Sequence, residues 1–352
     1  MLAALTTLVD SQLFILGEPV AKLEADVAAL SRAKHAIGCA SGTDALLLAL
    51  RAMDIGRGDE VITTPFTFFA TAGTIHNVGA TPVFVDIEPK TFNIDPAAAK
   101  AAVTPRTKAV MPVDLFGQMA PIECFRQMMP TIPCIEDAAQ SIGARRTIDG
   151  KATMAGEVAT IGTFSFFPSK NLGGYGDGGM IVTQDDRLAE RLRRLRVHGG
   201  LKTYYHDEVG YNSRLDALQA EVLRIKLPHL EGWSEARRKN AAYYNEALKD
   251  IPEIVTPFVD PKNVTIVNQY TIRAQRRDEL QKHLNAKKVG NSIYYPLPLH
   301  RQPCFEYLGY REGSMPQAEL AAREVISLPV YPELARPQLD EVIDAVRSFY
   351  SR

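Results

Sequence analysis

Apolar positions along the first half of this chain recur in two rhythms that alternate. Short, nearly continuous apolar runs predict buried strands at His35 to Cys39, Asp59 to Thr63, Pro82 to Ile87, Thr107 to Leu115, Ile132 to Ile135, Ala159 to Phe167 and Met180 to Thr183. Between them, apolar residues at helical spacing predict helices over Glu18 to Arg32, Asp44 to Met53, Asp95 to Val103 and Leu188 to Val197, and another after the Pro65–Thr71 run. This alternation through residue 184 predicts an open, mostly parallel α/β sheet, a fold class that binds ligands at the carboxyl ends of its strands. A long helical region interrupted by Pro228 then reaches about Leu248. Three prolines between Asp250 and Pro261 mark a change of organisation. Beyond them the pattern predicts strands at Val267 to Ala274 and Ser292 to Tyr295, and helices near Asp278 to Lys287, Gln317 to Val325 and Asp340 to Tyr350. The expectation is a large domain over residues 1–245 and a smaller α+β domain over 246–352.

One stretch concentrates the candidate chemistry. The apolar run ending at Phe167 meets Pro168, which removes a backbone donor and fixes φ, so the strand stops there. Lys170 follows, then a loop dense in glycine (Gly173, Gly174, Gly176, Gly178, Gly179), then the next strand. A lysine on a short connection between two core strands suits a Schiff base to a carbonyl cofactor. The competing readings are a plain surface lysine and a nucleotide-phosphate loop. The order here, lysine first and glycines after, does not match G-x-x-x-x-G-K-[ST].

Three further stretches fall at predicted carboxyl ends of strands. Ser41-Gly42-Thr43 lies between a strand and a helix, where free N–H groups and the helix dipole favour an anion; a simple N-cap accounts for it equally well. Phe66, Phe68 and Phe69 serve either as core or as a surface for stacking on an aromatic ring. Glu136-Asp137 places two acids just past a buried strand, which is costly without partners; one of them is a candidate for holding a pyridinium nitrogen protonated.

Bulk properties narrow the partners. The chain has 352 residues, 46% apolar and 23% charged, as in an ordinary globular protein. A formal net charge of −1 gives no electrostatic case for nucleic acid or an anionic membrane. No run of 18 apolar residues is present, and the stretch before Lys22 reads poorly as a signal peptide. Four cysteines without a C-x-x-C pair indicate neither a disulfide framework nor a zinc site, and fit a reducing cytoplasm.

Together, Ser41-Gly42-Thr43, Glu136-Asp137-Ala138-Ala139-Gln140, Ser165-x-x-x-x-Lys170 and Asn212-Ser213-Arg214-Leu215-Asp216 resemble the DegT/DnrJ/EryC1/StrS family. Members are pyridoxal-phosphate aminotransferases of nucleotide-linked keto sugars, and the resemblance runs from about Val9 to the C-terminus. It implies aminotransferase fold type I, with Lys170 carrying the cofactor as a Schiff base and moving protons. It places Asp137 on the pyridine nitrogen, Gln140 against the ring hydroxyl, Phe68 on the ring face, and Gly42, Thr43 and Ser165 on the phosphate. Asn212 would complete that site from the other subunit of an obligate homodimer. L-Glutamate is the implied donor and a keto sugar on UDP or dTDP the acceptor. The segment from Ile293 to Pro303 resembles members that act at C3 rather than C4, with Tyr295 and His300 as substrate contacts. Tyr294 and Tyr295 are also explicable as packing. Arg214 suits a carboxylate if the substrate is a uronic acid. Against the family pattern the chain begins late, at the region matching Ser11-Gln12, and Asn291 stands where threonine is common. A sugar dehydratase of the same fold would carry histidine in place of Lys170, and a non-catalytic regulator would not need the intact set.

Overall fold

The computed structural model describes residues 1–351. The strands are β1 (His35–Cys39), β2 (Glu60–Thr63), β3 (Thr81–Phe84), β4 (Thr107–Met111), β5 (Ile135–Asp137), β6 (Arg145–Ile148), β7 (Lys151–Met154), β8 (Ile161–Ser165), β9 (Gly179–Thr183), β10 (Ile254–Val255), β11 (Asn263–Val264), β12 (Tyr270–Ala274) and β13 (Val325–Leu328). The helices are α1 (Leu2–Ser11), α2 (Glu18–Leu30), α3 (Gly42–Ala52), α4 (Ala70–Asn77), α5 (Pro96–Ala101), α6 (Ile122–Met128), α7 (Asp186–Leu195), α8 (Ala217–Lys226), α9 (Leu230–Leu248), α10 (Arg277–Ala286), α11 (Pro316–Glu324) and α12 (Arg336–Tyr350).

The main sheet runs β3-β2-β4-β5-β8-β9-β1, its two halves joined by parallel bridges between Val110 and Cys134 and between Val113 and Asp137. Only β9 runs against its neighbours. The fold is the mixed α/β, mostly parallel architecture that the alternating pattern predicts. β8 and β9 are buried at every position, as strands covered on both faces must be. Helix starts coincide with short polar caps. Ser41 Oγ accepts from Asp44 N at 3.0 Å, Asp95 Oδ1 from Ala97 N at 2.8 Å, and Asp185 Oδ1 from Arg187 N at 2.7 Å.

A second, antiparallel sheet, β10-β12-β13, packs with α9, α10 and α12 around Tyr244, Tyr270, Ile272, Leu280 and Val346. Between β10 and β12 the chain turns back as β11 to pair with β6. Some expectations need correcting. The predicted strand at Ser292 to Tyr295 forms only one bridge, Ser292 to Ser327, because Pro296 and Pro298 prevent a continuous ladder. The strand predicted to Leu115 ends at Met111, ahead of Pro112. No described helix is long and apolar enough to cross a membrane. Among the described residues, no group of three or more His, Cys, Asp or Glu is placed to hold a metal ion.

Candidate active site

Lys170 stands on the turn that leaves β8. Its N–H donates to Phe167 O at 2.8 Å, closing the turn at the point where Pro168 ends the strand. The glycines that follow are gripped by α8. Tyr175 N donates to Gln219 Oε1 at 2.8 Å, and Lys226 Nζ donates to Gly173 O. A Cβ on Gly173 would stand 2.7 Å from the Pro168 carbonyl carbon and 2.9 Å from its Cα, so glycine is what lets the loop fold back on its own start. Burial lowers the Lys170 amine from its ordinary value to about 8, and the Asp137 carboxylate draws it partly back up. An amine so depressed can give and take protons near neutral pH.

Asp137 ends β5 and is 4% exposed. Thr71 Oγ1 donates to its Oδ2 at 2.8 Å and Ala139 N to its Oδ1 at 3.3 Å. Burial nevertheless holds the carboxyl above its ordinary range, against the opposing pull of Thr71, Ala139 N and Lys170. A buried acid in this condition gains most from a cationic N–H placed against it. Thr71 itself was not singled out in the sequence; its helical spacing from Thr67, whose hydroxyl lies 3.0 Å away, is the signal that points to it.

Gln140, 6% exposed, accepts from Phe116 N at 2.6 Å and donates to the Tyr295 hydroxyl at 3.3 Å. Tyr295 also lies 6.5 Å, ring to ring, from Phe68, which is 58% exposed and presents an apolar face. Lys170, Asp137, Gln140, Phe68 and Tyr295 are therefore linked by neighbouring contacts or charge. The second acid of the pair, Glu136, lies fully buried, accepts from Gly156 N at 3.0 Å and faces Asp114. Two carboxyls in contact and out of water raise Glu136 well above the ordinary range.

At the start of α3, Ser41 satisfies Asp44 N, and the N–H groups of Gly42 and Thr43 have no partner among the described residues. A Cβ on Gly42 would stand 2.6 Å from Ser165 Cβ, so the glycine keeps this helix start pressed against the end of β8. Two free N–H groups, a helix dipole and the Ser165 hydroxyl form a cup for a phosphate. Ser213 Oγ donates to Asp44 Oδ2 at 2.7 Å and so ties the exposed Asn212 and the half-exposed Arg214 to this helix start. Those two residues share a cavity of about 580 Å³ with Ser41, Gly176 and Gln219.

His300 departs from the expected substrate contact. Its side chain has no accessible surface, and its Nε2 lies 3.0 Å from Glu319 Oε1. Glu319 in turn accepts from Gly313 N at 2.9 Å. With no accessible surface the ring reaches no substrate in this arrangement, and its place is in the packing that fixes the segment after Pro298.

Lysine, facing acid, exposed aromatic face and phosphate cup fit pyridoxal phosphate, and the comparisons with known proteins agree. The profile of the DegT/DnrJ/EryC1/StrS aminotransferase family matches residues 1–347. A Geobacillus stearothermophilus protein named pleiotropic regulatory protein is 54% identical over 99% of this chain and 94% of its own. The UDP-N-acetyl-3-dehydro-alpha-D-glucosamine 3-aminotransferase of Acidithiobacillus ferrooxidans is 44% identical over 99% of this chain and 93% of its own. The crystal structure of Streptomyces venezuelae DesV in complex with a ketimine intermediate superposes with a TM-score of 0.96 at 43% identity, covering 99% of this chain and 94% of that one. The chain thus belongs to the DegT/DnrJ/EryC1/StrS family and is a pyridoxal-phosphate-dependent sugar aminotransferase.

Proposed function

We propose that this enzyme moves the amino group of L-glutamate to the C3 keto group of a sugar carried on UDP or dTDP. The observation that carries the reading is the buried amine of Lys170 with Asp137 as its opposing charge. When bound, pyridoxal phosphate supplies an electron sink for the carbon that loses its proton. Lys170 Nζ takes that proton from the donor's α-carbon and returns one to the sugar carbon in the second half-reaction. Asp137 holds a proton on the pyridine nitrogen, with Thr71 fixing the carboxylate's orientation. Gln140 would hold the ring hydroxyl and Phe68 would cover the ring face. Gly42 N–H, Thr43 N–H and Ser165 take the phosphate, completed by Asn212 from the second subunit of a homodimer. Tyr295 borders the sugar, and Arg214 faces a carboxylate or hydroxyl of the substrate. Residues 1–245 form the cofactor-binding domain and 246–352 the small domain of a cytoplasmic enzyme. The C3 preference draws support from the name of the Acidithiobacillus relative.

The test is product analysis with L-glutamate and matched 3-keto and 4-keto sugar nucleotides. A 3-amino sugar nucleotide together with 2-oxoglutarate is the expected result; amination at C4 alone would overturn the choice of carbon. The Geobacillus relative's name favours a second reading, a regulator of the same fold. Turnover with neither keto sugar, in protein that holds its cofactor, would favour that reading.

A further inference from the structure

The loop carrying Lys170 is held from behind by residues almost a hundred positions later. Asn171, 6% exposed, donates Nδ2 to Ile266 O at 2.9 Å, and its Oδ1 accepts from Asn268 Nδ2 at 2.7 Å. Asn268 is equally buried and donates its own N–H to Phe116 O at 3.0 Å. Just upstream, Ile266 N and Thr265 Oγ1 both donate to Gly117 O, at 3.1 and 2.8 Å. Phe116 N then donates to Gln140, which donates to Tyr295. A continuous polar path therefore links the residue beside Lys170, the entry to β12, the 116–117 turn and the Gln140–Tyr295 pair.

The crossing is tight and unfavourable for its own backbone. Phe116 has φ +59° and Val267 φ +48°, left-handed values that bulky and β-branched residues avoid. A Cβ on Gly117 would stand 2.8 Å from Asn268 N. Such conformations persist only where their surroundings fix them. Arg237 supplies part of that constraint, its Nη1 donating to the carbonyls of Val267, Asn268 and Val330 at 3.2, 3.3 and 2.9 Å. A cavity of about 220 Å³ opens beside the turn, lined in part by Leu115, Phe116, Gln118, Thr265 and Val267.

We propose that the Asn171–Asn268 amide pair is a positioning device for the reaction, with the segment that enters β12 acting as the back-stop that fixes Lys170 relative to Asp137 and Gln140. Neither asparagine touches cofactor or substrate; both act through Lys170. The proposal rests on the reading of Lys170 as the cofactor lysine.

The experiment compares Asn268→Ala and Thr265→Val with the parent in three measurements. These are thermal unfolding, kcat and KM for L-glutamate, and the pH midpoint of Lys170 in cofactor-free protein, read from the pH dependence of its reductive methylation by peptide mass mapping. Asn268→Ala leaves Asn171 Oδ1 unpaired, loosens the loop and admits water to the amine. Burial is what depresses that amine and Asp137 is the charge that opposes the depression, so hydration moves the midpoint upward from about 8. The expected shift is at least about half a unit, with kcat down about tenfold or more and KM within about threefold. Thr265→Val gives the same pattern in smaller measure, and decides the matter if Asn268→Ala does not fold. A lowered melting temperature with an unmoved midpoint and kcat within twofold would show that the pair serves packing alone. Failure of the underlying reading is separable, since a borohydride-fixed cofactor adduct on the protein that survives Lys170→Ala would refute it whatever the asparagine variants do.

Discussion

The start of α3 gives the sharpest prediction, because Gly42→Ala changes one methyl group at a measured gap. The added carbon would lie 2.6 Å from Ser165 Cβ, 3.0 Å from its Oγ and 3.2 Å from its Cα. Ordinary carbon contacts are roughly 3.5–4.0 Å, so one element must retreat by about 1 Å. The hydroxyl can rotate away; Cβ and Cα of a buried strand end cannot. Overpacking of this kind costs about 1–3 kcal/mol. If the helix start moves, the N–H groups of Gly42 and Thr43 lose their aim at the phosphate. Each hydrogen bond to a charged group is worth about 1.5–3 kcal/mol, so losing one raises the cofactor Kd roughly 10- to 150-fold. The assay is titration of cofactor-free protein with pyridoxamine phosphate, which forms no covalent bond to Lys170, beside a thermal melt. Gly232→Ala is the control, since nothing lies within 4 Å of a Cβ there and it sits inside α9. Unchanged Kd and melting temperature in Gly42→Ala would refute the cup as described.

Three further outcomes follow from the same geometry. In cofactor-free protein, Lys170→Met stabilises the fold by about 3 kcal/mol at pH 7, because the amine titrates at about 8 when folded and near 10.5 when unfolded, so charging it opposes folding. That gain is full below pH 8 and fades as the pH rises to 10.5; urea unfolding across this window checks it, and a gain independent of pH would contradict the burial account. If, as proposed, Asn212 completes the site across a homodimer, mixing inactive Lys170→Ala with inactive Asn212→Ala and letting subunits exchange restores about a quarter of parental activity, half the dimers being mixed with one intact site each; no recovery would place Asn212 in its own subunit's site. His300→Ala lowers stability by about 2 kcal/mol with the KM for the sugar nucleotide unchanged, through lost packing and the lost Glu319 contact. A raised KM at unchanged melting temperature would return His300 to the substrate.

His35–Cys39 matches to the residue and Asp44 to Met53 differs from α3 only at its ends, whereas the strand expected at Ile132 to Ile135 lies at Ile135–Asp137, because Pro133 keeps the run before it out of the ladder. Elements whose signal is short or polar were not legible. The β6–β7 hairpin has charged, half-exposed strands, and its turn signal, Asp149-Gly150 with φ +50° and +75°, was the clue to read. Helix α1 lacks a side-chain cap, and α6 begins after Pro121 in a run that propensity leaves ambiguous. Motifs local in sequence pointed to Lys170 and Asp137, which the structure couples by charge. Partners joined across the fold, such as Thr71 to Asp137 and Asn171 to Asn268, leave no local pattern because the contacts exist only once the sheet forms. His300 shows the converse: a histidine near a tyrosine-rich turn reads as a site, yet Glu319, nineteen residues on, claims it within the packing.

The central claim is that Lys170 is the residue through which the cofactor works. Its most direct test is the absorption spectrum of the purified, pyridoxal-phosphate-loaded protein, before and after L-glutamate, followed by borohydride reduction of the resting form and peptide mass mapping. The account predicts a visible band that glutamate bleaches, and a reduced cofactor adduct on the peptide carrying Lys170 that is absent in Lys170→Ala. A reduced adduct that still forms on the protein in Lys170→Ala, or one on another lysine in the parent, would contradict it.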